Sequence, residues 1–179
     1  VGITFDFINI GGGIGIPYRP DQVGQDLERI GKGIEAAYQT HLIAQGHPDL
    51  KLYMECGRCI TGPFGYLVAR VRHIKNTYRK YVGLDACMAN LMRPALYGAY
   101  HKVDNLSAFY LRGDGGDDHI YDIVGPICES SDVWGEGRML PRSRRGDLLV
   151  IRTAGAYGRT MASRYNLRDL APAVYSDEI

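Results

Sequence analysis

Apolar and polar positions divide the chain into two textures. Residues 1–10 form an apolar run with partial alternation (Ile3, Phe5, Phe7, Ile8, Ile10), which predicts a buried strand. It ends in Gly11-Gly12-Gly13-Ile14-Gly15. Pro17 and Pro20 keep the next stretch extended. Val23, Leu27, Ile30, Ile34, Ala37 and Leu42 then recur at helical spacing, giving one apolar face of a helix capped by Asp21. Glu28 and Lys32 pair on its exposed side, Gly46 is a C-terminal stop, and Pro48 lies beyond it. Residues 50–55 read as a second short strand. Strand, glycine loop, helix and strand make a βαβ unit of a parallel α/β structure. One such unit leaves both sheet edges open, so the chain is expected to be incomplete at its N-terminus.

After Pro63 the period changes to two. Leu67, Ala69 and Val71 fall on one face of residues 66–74, with Val68, Arg70 and Arg72 on the other. Residues 78–84, 118–124 and 147–153 are further strand candidates, separated by turn residues at 113–117 and at Gly135-Glu136-Gly137. The expectation is an antiparallel sheet or barrel, with the boundary near Gly62.

Composition narrows the function. A net charge of +1 gives no phosphate-tracking surface, so nucleic acid is a poor partner. No apolar run is long enough to span a membrane, and no leader is recognised at Val1. Cysteine use without a secretory signal suits a reduced cytoplasmic setting. Cys56 and Cys59 form a C-x-x-C, but Cys87 and Cys128 stand alone, so the spacing offers no zinc site and no metal is expected. A redox pair is the sharper reading of Cys56 and Cys59, although Thr61-Gly62-Pro63 would end any helix they open.

The glycine run after the first strand suits a phosphate, because no side chain blocks the backbone N–H groups. It is not a G-x-G-x-x-G, since position 16 is Ile16, so a dinucleotide fold is not supported. The other candidate chemistry is Cys128-Glu129, in a run of small and polar residues from Gly125 to Asp132. A thiol is a competent proton donor, and the carboxylate beside it can hold an ammonium group. Taken singly, Arg93 and Glu129 also read as a solvated ion pair, and Tyr157 as a core residue.

Taken together, the segments at residues 9–18, 55–58, 92–101, around Cys128, and 154–158 resemble the diaminopimelate decarboxylases in order and rough spacing. That family belongs to the pyridoxal-phosphate enzymes whose fold is similar to alanine racemase and eukaryotic ornithine decarboxylase. The resemblance implies the end of a (β/α)8 barrel over residues 1–62 and a C-terminal antiparallel β-barrel over residues 63–179. It implies that Gly11, Gly12 and Gly13 bind the phosphate of pyridoxal 5'-phosphate, with Gly57, Arg58 and Tyr157 also at the cofactor. Glu55 would pair with the pyridine nitrogen. Arg58, Arg93 and Tyr97 would hold the distal carboxylate of an amino-acid substrate, with Tyr157 close by. Glu129 would take the distal ammonium, and Cys128 would return a proton to the α-carbon. The family builds each site across a homodimer.

The expected reaction is decarboxylation of meso-diaminopimelate to L-lysine. A cation at the far end of the pocket suits a dicarboxylic diamino acid and repels the ammonium of ornithine or lysine. Two features depart from the family. It usually has proline where this chain has Cys56. Its Schiff-base lysine sits on the first barrel strand, and Lys32, Lys51, Lys75, Lys80 and Lys102 all lie in other contexts. The chain alone is therefore expected to be inactive. Alternatives are an ornithine- or arginine-type decarboxylase of the same fold, a non-catalytic β-domain serving assembly, and a redox protein using Cys56 and Cys59.

Overall fold

The computed structural model describes residues 5–47 and 50–178; Ile3 and Pro48 lie outside them. The chain divides into two compact units, Val1–Ile60 and Thr61–Ile179.

In the first unit, strand β1 (Phe7–Asn9) pairs in parallel with β2 (Lys51–Tyr53), with Ile8 opposite Leu52. Helix α1 (Leu27–His41) connects them, so the βαβ reading holds. Its start differs from expectation. Gln22 Oε1 accepts from the N–H groups of Tyr18 and Arg19, closing a turn around Asp21. The helix begins one turn later, where the Asp26 carboxylate accepts from Arg29 N at 2.9 Å. Glu28 and Lys32 form the expected pair at 2.6 Å, and Gly46 takes the left-handed conformation that ends the connection (φ 85°). The described part of the run at residues 1–10, from Phe5 to Ile10, is not a buried strand here. Phe7 is 57% exposed, because two three-residue strands have too little surface to cover either face. No described residue of this unit is buried.

The second unit holds the core. Its six-stranded sheet has the order β5-β8-β3-β4-β6-β7. The strands are β3 (Leu67–Asn76), β4 (Lys80–Leu84), β5 (Val103–Asn105), β6 (Asp118–Val124), β7 (Val133–Pro141) and β8 (Leu148–Ile151). The sheet curls until its edge strands β5 and β7 meet, giving a nearly closed barrel. All pairings are antiparallel except β4 with β6, which run parallel. Ala69 and Val71 face inward and Val68 outward, as their alternation requires. Val82, Ile123, Leu149 and Ile151 are fully buried, and each such side chain contributes roughly 1.5–3 kcal/mol of transfer free energy.

Two strands escape the sequence pattern. β5 is too short to show a period. β7 runs through Gly135-Glu136-Gly137, which is a bulge and not the expected turn. The ladder slips from Tyr121 opposite Arg138 to Ile123 opposite Gly135, and Gly137 takes φ 59°. The Gly137 N–H donates to Asp122 Oδ1 at 2.8 Å, and Arg79 binds the other oxygen at 3.0 Å. Burial opposes the charge on Asp122, but these donors outweigh it and hold its carboxyl below the ordinary range.

Candidate active site

The residues of the first unit expected at the cofactor are organised by Asn9. Its Oδ1 accepts from Gly11 N at 2.8 Å, and its Nδ2 donates to Glu55 Oε1 at 2.7 Å. Glu55 N donates to Gly11 O at 2.8 Å, so the glycine loop and Glu55 are fixed together at the end of β1 and β2. Gly12 must be glycine, since a Cβ there would stand 2.0 Å from the Glu55 carbonyl oxygen. Gly11 and Gly13 have φ of 75° and 90° and open space beside them. A left-handed backbone with no side chain and an unobstructed flank suits an anion such as a phosphate. The Gly11 N–H is already engaged by Asn9, which leaves that role to its neighbours in the loop.

Gly57 opens the short helix α2 (Gly57–Thr61), and Arg58 is its second residue, half-buried. Cys59 Sγ donates to the Cys56 carbonyl at 3.1 Å. Burial and the adjacent Cys59 push the Cys56 thiol up, the reverse of what activates a redox thiolate.

In the second unit, β6 leads into the loop at residues 125–132. Asp132 is buried and ties it shut: its carboxylate accepts from Ile127 N at 3.0 Å and from Met88 N at 2.6 Å, and its carbonyl accepts from Gly125 N at 2.9 Å. Gly125 has to be glycine, because a Cβ would meet that carboxylate at 2.2 Å. Burial pushes the Asp132 carboxyl up, against the pull of the two N–H groups. The closed loop leaves Cys128 exposed to solvent and Glu129 half-exposed beside it. The Ser131 N–H and hydroxyl donate to Glu129 Oε1 at 3.3 and 3.1 Å, and Tyr165 OH donates to Oε2 at 3.4 Å. With the Ser131 N–H foremost, these donors hold Glu129 below the ordinary carboxylate range and so keep it charged.

The segment at residues 87–93 leads to the next candidates. Met88 N binds Asp132, and Ala89 O accepts from Ser163 N at 2.9 Å. The same segment runs into helix α3 (Arg93–Tyr97), where Arg93 is 7% exposed and Tyr97 is largely exposed. Gly98, at φ 60°, reverses the chain and brings His101 back against Arg93. Tyr157 follows β8 in the left-handed region at φ 59°, which is strained for an aromatic residue. Its loop is held by backbone packed on backbone. A Cβ on Gly65 would lie 2.2 Å from Gly155 Cα, and Ala154 N donates to Gly65 O at 2.7 Å.

Sequence reasoning missed Asn9, Asp132, Ser131, Tyr165 and His101, which hold the expected site residues in place. Asn9, His101, Ser131 and Asp132 lie inside the segments quoted above. Tyr165 has no local signal.

Residues 26–155 match the family described as pyridoxal-dependent decarboxylase, C-terminal sheet domain. The chain is 42% identical to the diaminopimelate decarboxylase of Bacteroides thetaiotaomicron over 99% of its own length and 44% of that protein's. It is 44% identical to Protein TabA of Pseudomonas amygdali pv. tabaci, over 96% of the chain and 39% of the relative. The diaminopimelate decarboxylase of Helicobacter pylori complexed with L-lysine superposes with a TM-score of 0.76 at 35% identity, over 89% of this chain and 36% of that one. The chain thus spans less than half the length of the curated relatives it matches. Sequence and barrel agree on one conclusion: the chain belongs to the pyridoxal-dependent decarboxylase family and carries its C-terminal sheet domain.

Proposed function

We propose that the protein of which this chain forms part decarboxylates meso-diaminopimelate to L-lysine with pyridoxal 5'-phosphate. The observation that carries the reading is the loop at residues 125–132. There a solvent-facing thiol and a charged carboxylate sit side by side on a buried aspartate tie. The similarity to diaminopimelate decarboxylases over nearly the whole chain supports it.

On this reading residues 1–62 close a (β/α)8 barrel and residues 63–179 form the β-barrel domain. Bound pyridoxal phosphate supplies the electron sink for the carbanion left when carbon dioxide departs. The chain's own residues hold and order the reactants. The loop at Gly11, Gly12 and Gly13 cradles the phosphate, with Gly57, Arg58 and Tyr157 beside it. Glu55 keeps a proton on the ring nitrogen. Arg58, Arg93 and Tyr97 take the carboxylate at the far end of the substrate, with the Tyr157 hydroxyl near it, and charged Glu129 takes the far ammonium. The Cys128 thiol gives its proton to the α-carbon and is recharged from solvent, to which it is open. The working unit is a cytoplasmic homodimer in which the Cys128 loop serves the partner's cofactor. The Schiff-base lysine lies outside this chain, which by itself is inactive.

The full-length protein tests this. It should turn over diaminopimelate with kcat/KM at least about a hundredfold above that for ornithine or arginine, the margin an opposed charge in a pocket can supply. Faster turnover of ornithine would reassign the substrate. Absence of cofactor absorbance near 420 nm would point to a non-catalytic module.

A further inference from the structure

Helix α3 opens at Arg93, and the reversal at Gly98 returns the chain so that His101 Nε2 lies 2.8 Å from Arg93 Nη1. The other ring nitrogen, Nδ1, lies 2.8 Å from the carbonyl oxygen of Arg152, just beyond β8. Arg152 N donates to Lys102 O at 2.8 Å, so the backbone beside His101 is tied to the same strand end. His101 is 1% exposed.

The partners fix the state of the ring. A carbonyl oxygen only accepts, so Nδ1 must carry the proton. A guanidinium only donates, so Nε2 must present its lone pair. His101 is therefore neutral, in the Nδ1–H form, and donates to the barrel with one nitrogen while accepting from Arg93 with the other. Burial, reinforced by the positive charges of Arg93 and Arg138, opposes its protonation despite the Arg152 carbonyl.

We propose that His101 is the positioning residue of the carboxylate clamp: through its neutral ring it anchors the Arg93 guanidinium to the end of β8, so that the guanidinium already holds one placement when it meets the substrate's far carboxylate. This rests on the reading of Arg93 as a carboxylate-binding residue. A guanidinium on a flexible stem loses rotamer freedom when it binds. One fixed by a buried acceptor has already lost it, so its hold on a carboxylate is tighter.

The test uses the full-length enzyme with cofactor. Gln places an amide oxygen near the Nε2 position and keeps the acceptor for Arg93. Asn places its NH2 near Nδ1 and keeps only the bond to Arg152. His101→Asn should raise KM for diaminopimelate about tenfold to a hundredfold, the loss of one charge-assisted hydrogen bond. It should leave kcat within about threefold, and weaken L-lysine binding by the same factor as KM. Binding of cadaverine, which has no carboxylate, should not change. His101→Gln should recover most of the loss. If Gln is as damaging as Asn, or if L-lysine and cadaverine weaken equally, the proposal is overturned and His101 is only a packing residue. If neither variant folds, nitrogen NMR of the wild-type ring decides. The proposal requires an unprotonated Nε2 at neutral pH, and a protonated one overturns it. Failure of the underlying reading looks different: the wild type itself would bind L-lysine no better than cadaverine.

Discussion

The two units differ in what holds their candidate site residues. In Val1–Ile60 the glycine loop and Glu55 sit on a two-stranded parallel sheet, and no described residue of that unit is buried. In Thr61–Ile179 the Cys128 loop, α3 and the Tyr157 loop hang from a barrel whose core side chains are fully buried. In the first unit polar and backbone contacts hold the candidate residues, Asn9 to Gly11 and Glu55, and Gly12 against Glu55. The second fixes its site by tying loops to a packed wall. The lesson is that local hydrogen bonding can set the shape of a turn, while apolar burial supplies the free energy that keeps distant loops in register.

Substitutions can break or sharpen that contrast. The largest effect is expected at the Cys128 thiol, the proposed proton donor. In the full-length enzyme Cys128→Ala should lower kcat about a hundredfold to ten-thousandfold, the range for losing a proton donor, with cofactor binding unchanged. An unchanged kcat would remove Cys128 from the chemistry. Next is the core: Ile123→Ala should cost about 2–5 kcal/mol in denaturant unfolding of the chain, while Leu27→Ala on α1 should stay within about 0.5 kcal/mol. Equal costs would erase the distinction between the units.

Gly12→Ala should weaken pyridoxal phosphate binding by the full-length protein at least about tenfold by fluorescence titration, since the nearest atom to the new methyl is backbone and cannot rotate away. Gly15→Ala, with open space around it, should change binding less than about twofold. The smallest effect concerns charge. Ser131→Ala removes the hydroxyl donor to Glu129 Oε1, so carbon NMR should find the Glu129 pKa higher than in the wild type. Because the folded-state pKa of Glu129 is depressed, its stabilising contribution is present above the unfolded pKa and lost as pH falls through the folded one. Asp132 has the opposite sign. Its raised pKa favours the fold as pH drops from neutral toward the ordinary carboxylate range, so Asp132→Asn should flatten that gain.

Much of this was legible beforehand. The parallel pairing of β1 and β2, the span of β6 and the inward face of β3 follow from periodicity, because sheet burial selects alternate positions. The start of α1 was misread because Asp21 and Asp26 are equally good caps on paper, and the Gln22 side chain closes a turn over the first. β7 was hidden because Gly135 and Gly137 signal a turn unless a partner strand makes them a bulge. The site residues were named through motif resemblance, but their supports were not. Nothing local says that Asp132 reaches Met88 across 44 positions or that Tyr165 reaches Glu129 across 36.

By itself the sequence determined the strand–helix–strand order of the first unit and several of the period-two strands of the second, and its motifs named, through resemblance, the thiol, carboxylate and guanidinium groups that can share one chemistry. Only the tertiary structure decided the state of those groups. Glu129 is held charged chiefly by Ser131 two residues on, but whether Asp132 is raised or His101 neutral depends on burial and on partners distant along the chain, and these are properties of packed neighbours that no local pattern encodes.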